Sequence, residues 1–251
     1  IFMNVIFGKV CKWLNSIYDG INWFELSYIV LIIVSATVLF IVLNRNMNNW
    51  LSLLICVVVE IFAIRFYTFT TISFVCTIIS IICITEAIPR LTKKSAGNIA
   101  LLVVSLLLFF AGQMFREESW IISMCLSFPF VIAFLIRHFK DCKKTIIILA
   151  VGVIIISSLI KFADYRAYSS DKYKEFQEYN VARSKVIDYP IANYDDKESE
   201  YKKLGISRND YSCLRNRFGT VKFVIGDRNV FSKDVLEKMN KMSDKKTYNI
   251  S

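Results

Sequence analysis

The chain has 251 residues, 55% of them hydrophobic, and a formal net charge of +10. It is more apolar than an ordinary soluble domain, and with only three prolines and eight glycines it contains no low-complexity linker. The basic residues form no single stripe, which argues against nucleic-acid binding, and the seven cysteines lack the spacing of a zinc site or a disulfide framework. No cofactor is expected.

Residues 1–25 are expected to form an amphipathic or interfacial lead-in. The chain starts with Ile1 and not with methionine, so the segment from Ile1 to Phe7 could be the end of an upstream span. No cleavable signal peptide is visible at the start.

Long apolar runs fill the next part of the chain. A helix needs roughly 20 apolar residues to cross the hydrocarbon core of a membrane. A threonine-rich break at 67–71 separates two of the runs, and Pro89 with Arg90 ends a third. The pattern predicts an all-α fold, a polytopic transmembrane bundle (26–161) of about six helices with a small helical C-terminal tail; the spans are 26–43, 50–66, 72–88, 98–115, 119–136 and 145–160.

The loops between these spans differ in charge. The loops after the first, third and fifth spans carry eight basic residues, and the other two internal loops carry only Arg65 and Arg116. Basic loops face the cytoplasm. The bias therefore predicts that the polar tail is extracytoplasmic, although Lys161 and Arg166 oppose this orientation. The eight basic residues are Arg45, Arg90, Lys93, Lys94, Arg137, Lys140, Lys143 and Lys144.

The polar tail, residues 162–251, is predicted to be helical. One helix is expected over 162–189 and another over 195–204. Ser207 with Asp210 three residues later is a capping pattern that predicts a third helix start, and Ser232 predicts a fourth. Because the tail has few apolar residues, we expect it to pack on the bundle or on a partner.

Three tail segments carry a resemblance to a known group of proteins. EYNVARSKVIDYP (178–190), YKKLGISRNDYSCL (201–214) and GDRNVFSKDVLEKM (226–239) resemble the polar segment of uncharacterised multi-spanning membrane proteins from Clostridia-like bacteria. The resemblance covers about a quarter of the chain. It implies a bacterial plasma-membrane protein and no catalytic residue.

Four polar residues in or beside the predicted spans are candidates for an intramembrane site. Glu60 lies inside the second span, where a charge is costly and polar groups are often functional, although a partnered structural glutamate is the alternative. Arg65 lies about 140° further round the same helix, so the two do not share a face. Glu86 is near the cytoplasmic end of the third span, and Gln113, near the end of the fourth, could donate a hydrogen bond across helices.

The tail contains a second candidate set, Arg183, Asp188 and Asp210, which could converge on a polar ligand such as a glycan or a phosphate. Local roles compete with this interpretation, since Asp210 is placed to cap a helix and Asp188 precedes a turn.

Three functions fit these patterns. The first is a plasma-membrane protein that handles a cell-envelope lipid or glycan precursor, with or without catalysis. The second is a non-enzymatic scaffold or sensor whose tail docks a partner membrane protein. The third is part of a secondary transporter that uses Glu60, although no inverted repeat is evident. The lipid bilayer is the one partner common to all three.

Overall fold

The structure is a computed structural model that describes residues 3–91, 95–187, 189–215 and 231–242. Within these ranges the chain forms ten α helices and no strand. The helices are α1 (Val5–Ile17), α2 (Trp23–Asn44), α3 (Asn49–Arg65), α4 (Phe69–Arg90), α5 (Ala96–Phe115), α6 (Glu117–Ala167), α7 (Asp171–Ile187), α8 (Glu198–Lys203), α9 (Arg208–Arg215) and α10 (Lys233–Met242).

The chain divides into two compact units, Ile1–Ala167 and Tyr168–Ser251. In the first unit, α2, α4, α5 and α6 are long and apolar enough to cross a membrane, as judged by length and composition. The expected all-α fold with membrane-spanning helices is confirmed at this level. The fifth apolar helix, α3, has 17 residues and falls just short of the same length.

Close packing of α4 against α5 organises the first unit. A methyl group added at Gly112 of α5 would lie 2.3 Å from the Thr77 hydroxyl oxygen and 3.0 Å from the Ser73 carbonyl oxygen, both on α4. The Ser73 hydroxyl donates to the Gly112 carbonyl at 2.7 Å and to the Arg116 carbonyl at 3.0 Å. A glycine and small hydroxyl side chains thus let the two backbones approach, as in other membrane helix pairs.

Helix α6 has 51 residues, and a straight helix of that length would put residues 117 and 161 about 66 Å apart. Instead, Lys161 forms an ion pair with Glu117. Next to this pair, the side-chain amide of Gln113 donates to the Ser157 carbonyl at 3.3 Å. The helix therefore folds back on itself, and its midpoint falls in the basic segment 137–144.

The sequence predicted two separate spans, 119–136 and 145–160, joined by a loop. The structure corrects the loop, because residues 137–144 are helical and join both arms into α6. This segment, RHFKDCKK, has no glycine or proline, and most of its residues tolerate a helix well. The two apolar arms nevertheless lie antiparallel, since the Glu117 end meets the Lys161 end.

Two other predicted boundaries also move. The third predicted span continues through Pro89 to Arg90, within the last turn of α4. The single helix predicted over 162–189 is wrong, because α6 ends at Ala167 and α7 begins at Asp171. The Ser170 carbonyl accepts the first hydrogen bonds of α7, from Tyr173 at 2.9 Å and Lys174 at 3.0 Å. Serine and aspartate favour a helix start over a helix interior.

The second unit has a small core of its own. Tyr201 and Leu236 are fully buried in it, and the Tyr201 hydroxyl donates to the Ala192 carbonyl at 2.6 Å. The predicted cap at Ser207 is confirmed, because its backbone N–H and its hydroxyl contact the Asp210 carboxylate at 2.9 and 2.6 Å. The helix predicted from Ser232 is also confirmed as α10.

Candidate functional site

One end of the α4–α5 pair carries a closed polar network, formed by Arg45, Asn46, Glu86, Arg90 and Asn98 and called the closed end below. Glu86 forms an ion pair with Arg90 and accepts a hydrogen bond from the Asn46 amide at 3.1 Å. The Asn98 amide donates to the Arg90 carbonyl at 3.0 Å, and its oxygen accepts from Arg45 at 3.1 Å. These partners tie the ends of α2, α4 and α5 together, so Glu86 has a structural role here.

The opposite end of α5 borders a small cavity of about 70 Å³, called the polar pocket below. Three elements meet there: the start of α1, the end of α5 and both ends of α6. Asn4 fixes α1 in place, since its backbone N–H donates to the Met114 carbonyl at 2.9 Å and its side chain donates to the Ile160 carbonyl at 3.2 Å. The lining residues are Met3, Asn4, Gln113, Glu117, Glu118, Ile160, Lys161 and Asp164.

Gln113 has an unused acceptor in this pocket. Its side chain is only 6% exposed, and its amide nitrogen donates to the Ser157 carbonyl. Only the NH₂ group of an amide can donate to a carbonyl, so this bond fixes the orientation of the amide. Its oxygen, Oε1, is then buried without a hydrogen-bond partner among the described residues. Such a group in a native structure indicates a missing donor.

Asp164 supplies a carboxylate one turn beyond the apolar arm of α6. Its Oδ1 accepts from the backbone N–H of Val5 at 2.7 Å. Burial raises the pKa of Asp164, that hydrogen bond opposes the rise, and nearby Glu117 adds to it. The negative charge of Asp164 is therefore disfavoured in this place, and a cation bound beside it would stabilise that charge.

An apolar groove of about 790 Å³ lies beside the polar pocket, between α1, α2, α5 and the second arm of α6. It is lined almost wholly by aliphatic and aromatic side chains. The hydroxyl of Ser27, the one small polar side chain in the lining, already donates to the Phe24 carbonyl at 2.6 Å. Along α5 the groove extends from Val103 to Phe115, a length of about 18 Å. Val103 and Leu107 are largely exposed, so the groove is open on the outer face of this unit.

The groove and the polar pocket meet at Ile160, which lines both. Gln113 of the pocket and Met114 of the groove are consecutive residues of α5. A molecule with an apolar chain and a polar head could therefore occupy both spaces at once, with the head at the end of the bundle.

The predicted intramembrane set is not one site. Glu60 lies on the side of α3 that contains buried Cys56, whose thiol contacts the Ala36 carbonyl of α2 at 3.8 Å. One Glu60 carboxyl oxygen is buried without a partner among the described residues. Arg65 is exposed and stacks over the Phe66 ring at 5.7 Å. Glu86 belongs to the closed end, and only Gln113 lies at the polar pocket.

The predicted tail set is not brought together either. Arg183 donates to the Asn180 side chain at 2.7 Å, and Asp210 caps α9. No described hydrogen bond or ion pair joins these two residues. Asp188 lies outside the described residues.

Sequence reasoning missed most of the polar pocket. Asn4, in the lead-in, and Lys161 and Asp164, at the end of the last span, are separated by about 160 positions along the chain. The one available signal was the cluster of charges at 116–118 and 161–164, which marked span ends and predicted that these ends share one side of the membrane. The groove had no signal, because its residues look like any lipid-facing apolar positions.

Comparisons with protein-family models, with curated proteins and with solved structures returned no match for this chain.

Proposed function

We propose that this protein binds a membrane lipid or a lipid-linked envelope precursor, with its apolar chain in the groove and its head in the polar pocket. The observation that carries the proposal is the junction at Ile160, where an almost wholly apolar groove meets a pocket of carboxylates and an unpaired amide oxygen. Ligand sites typically combine an apolar lining with a few convergent polar groups.

The membrane arrangement we propose has six crossings: α2, α3, α4, α5 and the two arms of α6. The folding back of α6 and the apolar sequence of α3 support this count. The charge bias supports a bacterial plasma-membrane protein with the segment 137–144 in the cytoplasm and the tail outside. The polar pocket would then lie at the outer surface.

The dimensions of the groove support a single lipid chain as the occupant. The hydrocarbon core is about 30 Å thick, so one leaflet accounts for about 15 Å of it. The groove follows α5 for about 18 Å from the pocket end, which is close to the depth of one leaflet. Trp23 lies in the lining near the pocket end, and tryptophan is enriched at the membrane interface.

Filling the groove tests the proposal. Ala111→Phe places a ring in the groove, and Ala150→Phe is a matched control on the exposed side of the second arm of α6. The full chain is purified in mild detergent, and the lipids that remain bound are counted by native mass spectrometry. We expect the wild type and Ala150→Phe to retain a lipid that Ala111→Phe loses.

Val103→Phe repeats the test at a groove position that is 49% exposed and that tolerates a larger side chain without core strain. Equal lipid retention in all four proteins, each with an unchanged melting temperature, would contradict the proposal.

A further inference from the structure

The polar pocket also indicates which head the lipid carries. We propose that it selects a lipid headgroup with a primary ammonium group. This inference rests on the proposed function, since it assumes that the groove holds the lipid chain.

The first argument is the shortage of donors. Gln113 offers a carbonyl oxygen with no described partner, and Asp164 offers a carboxylate whose one described hydrogen bond comes from Val5. A primary ammonium group has three N–H donors and no acceptor. A phosphate or a carboxylate would instead place another acceptor against these oxygens, which leaves Gln113 unsatisfied.

The second argument is charge. Glu117, Glu118 and Asp164 line the pocket together with one cation, Lys161. Lys161 pairs with Glu117, and Arg116 contacts Glu118 at 3.5 Å from outside the lining. One negative charge, that of Asp164, is left in excess. A bound ammonium group balances it, and partial burial strengthens the attraction relative to water.

The third argument is size. The pocket measures about 70 Å³, and a water molecule occupies roughly 30 Å³ in the liquid. The space fits an aminoethyl group and is too small for a sugar. A metal ion is a poorer occupant, because no three His, Cys, Asp or Glu side chains in the described ranges are placed to hold one. Lys161 is 66% exposed at the rim, beside the place of the phosphodiester that adjoins the aminoethyl group.

The test uses three lipids with identical acyl chains. Phosphatidylethanolamine carries a primary ammonium group, phosphatidylcholine a quaternary one without N–H donors, and phosphatidylglycerol no cation. The full chain is titrated with each lipid in detergent, and the bound fraction is read by native mass spectrometry. We expect phosphatidylethanolamine to bind about tenfold more tightly than either of the others, which corresponds to about 1.4 kcal/mol.

Two variants assign the preference to the pocket. Gln113→Leu removes the amide oxygen, and Asp164→Asn removes the charge while it keeps an oxygen for the Val5 N–H. Both should lower the preference for phosphatidylethanolamine towards one and still bind a lipid chain. Ala150→Phe should keep the preference.

The outcomes separate the two claims. Equal affinities, or a preference for phosphatidylglycerol, would overturn the headgroup inference and leave lipid binding in the groove intact. A preference that persists in both pocket variants would also overturn it. No saturable binding of any of the three lipids, together with no effect of Ala111→Phe, would overturn the proposed function itself.

Discussion

The two ends of the α4–α5 pair contain the same kinds of side chain in different states. Asn98 at the closed end and Gln113 at the polar pocket are both buried amides, about 22 Å apart along α5. Asn98 uses its donor and its acceptor, on Arg90 and Arg45. Gln113 uses only its donor, on Ser157. The difference teaches that a buried polar residue indicates a ligand only where its neighbours leave part of it unsatisfied.

The cause lies in the neighbouring elements. At the closed end, the C-termini of α2 and α4 bring two arginines and an asparagine onto one carboxylate and one amide. At the other end, α1 and the two ends of α6 surround Gln113 and leave a cavity. Four predictions test this comparison, two of them the lipid experiments above, and the others follow here from the largest expected effect to the smallest.

The largest effect should come from the glycine that holds both ends in one frame. Gly112→Val places a side chain against Thr77 and the Ser73 backbone, so α4 and α5 must separate. Overpacking of this kind costs about 3 kcal/mol. Thermal unfolding in detergent measures the loss of stability.

Gly152→Val is the matched control, because a Cβ atom at Gly152 meets nothing within 4 Å. A similar melting temperature for the two variants would mean that close α4–α5 packing does not hold the unit together.

The two amides give a smaller effect, and a direct comparison of the two ends. Asn98→Leu leaves the Arg45 guanidinium and the Arg90 carbonyl without this partner, and a lost buried partner costs about 2 kcal/mol. Gln113→Leu gives up one long hydrogen bond and also removes an unpaired buried oxygen, so it should change stability by less than about 1 kcal/mol.

Melting temperatures of both variants, measured in the same detergent without added lipid, check this order. If Gln113→Leu destabilises the protein as much as Asn98→Leu does, the amide oxygen of Gln113 has a structural partner and the pocket is not open.

The smallest effect is expected in the second unit, where Glu178 of α7 pairs with Lys233 of α10 in water. The hydrogen bond and the positive charge of Lys233 lower the pKa of Glu178, and the same contact raises the pKa of Lys233. A lowered acid pKa contributes stability above the ordinary value of about 4.3, and this contribution is lost as the pH falls through the lowered value.

Hydrogen exchange of α10, corrected for intrinsic rates, should therefore be faster below about pH 4 than at pH 7. Glu178→Gln should reduce this difference, and Glu175→Gln, the same change on the same helix, should leave it. An exposed pair contributes little, so no change of the overall fold is expected. An α10 whose protection does not respond to Glu178→Gln at any pH would show that this contact adds nothing.

The sequence predicted the helices better than their connections. The apolar runs located α2, α3, α4 and α5 to within a few residues, because membrane helices must satisfy their own backbone and so follow hydropathy closely. The helical join at 137–144 was missed, since charged residues suggested a loop although nothing in that segment interrupts a helix. The break before Asp171 could have been found from the Ser-Ser-Asp sequence that precedes α7.

Of the candidate residues, Gln113 alone lies at the polar pocket, and nothing in its local sequence distinguishes it from Asn98. By itself, the sequence determined that this chain is helical, that much of it is apolar enough for a membrane, and that Ser207 starts α9. These properties depend on residues close together along the chain. Only the tertiary structure decided which buried amide is satisfied, where α6 reverses and that a groove joins a pocket at Ile160. Those properties depend on contacts between residues as far apart as Asn4 and Ile160, and local pattern holds no record of such contacts.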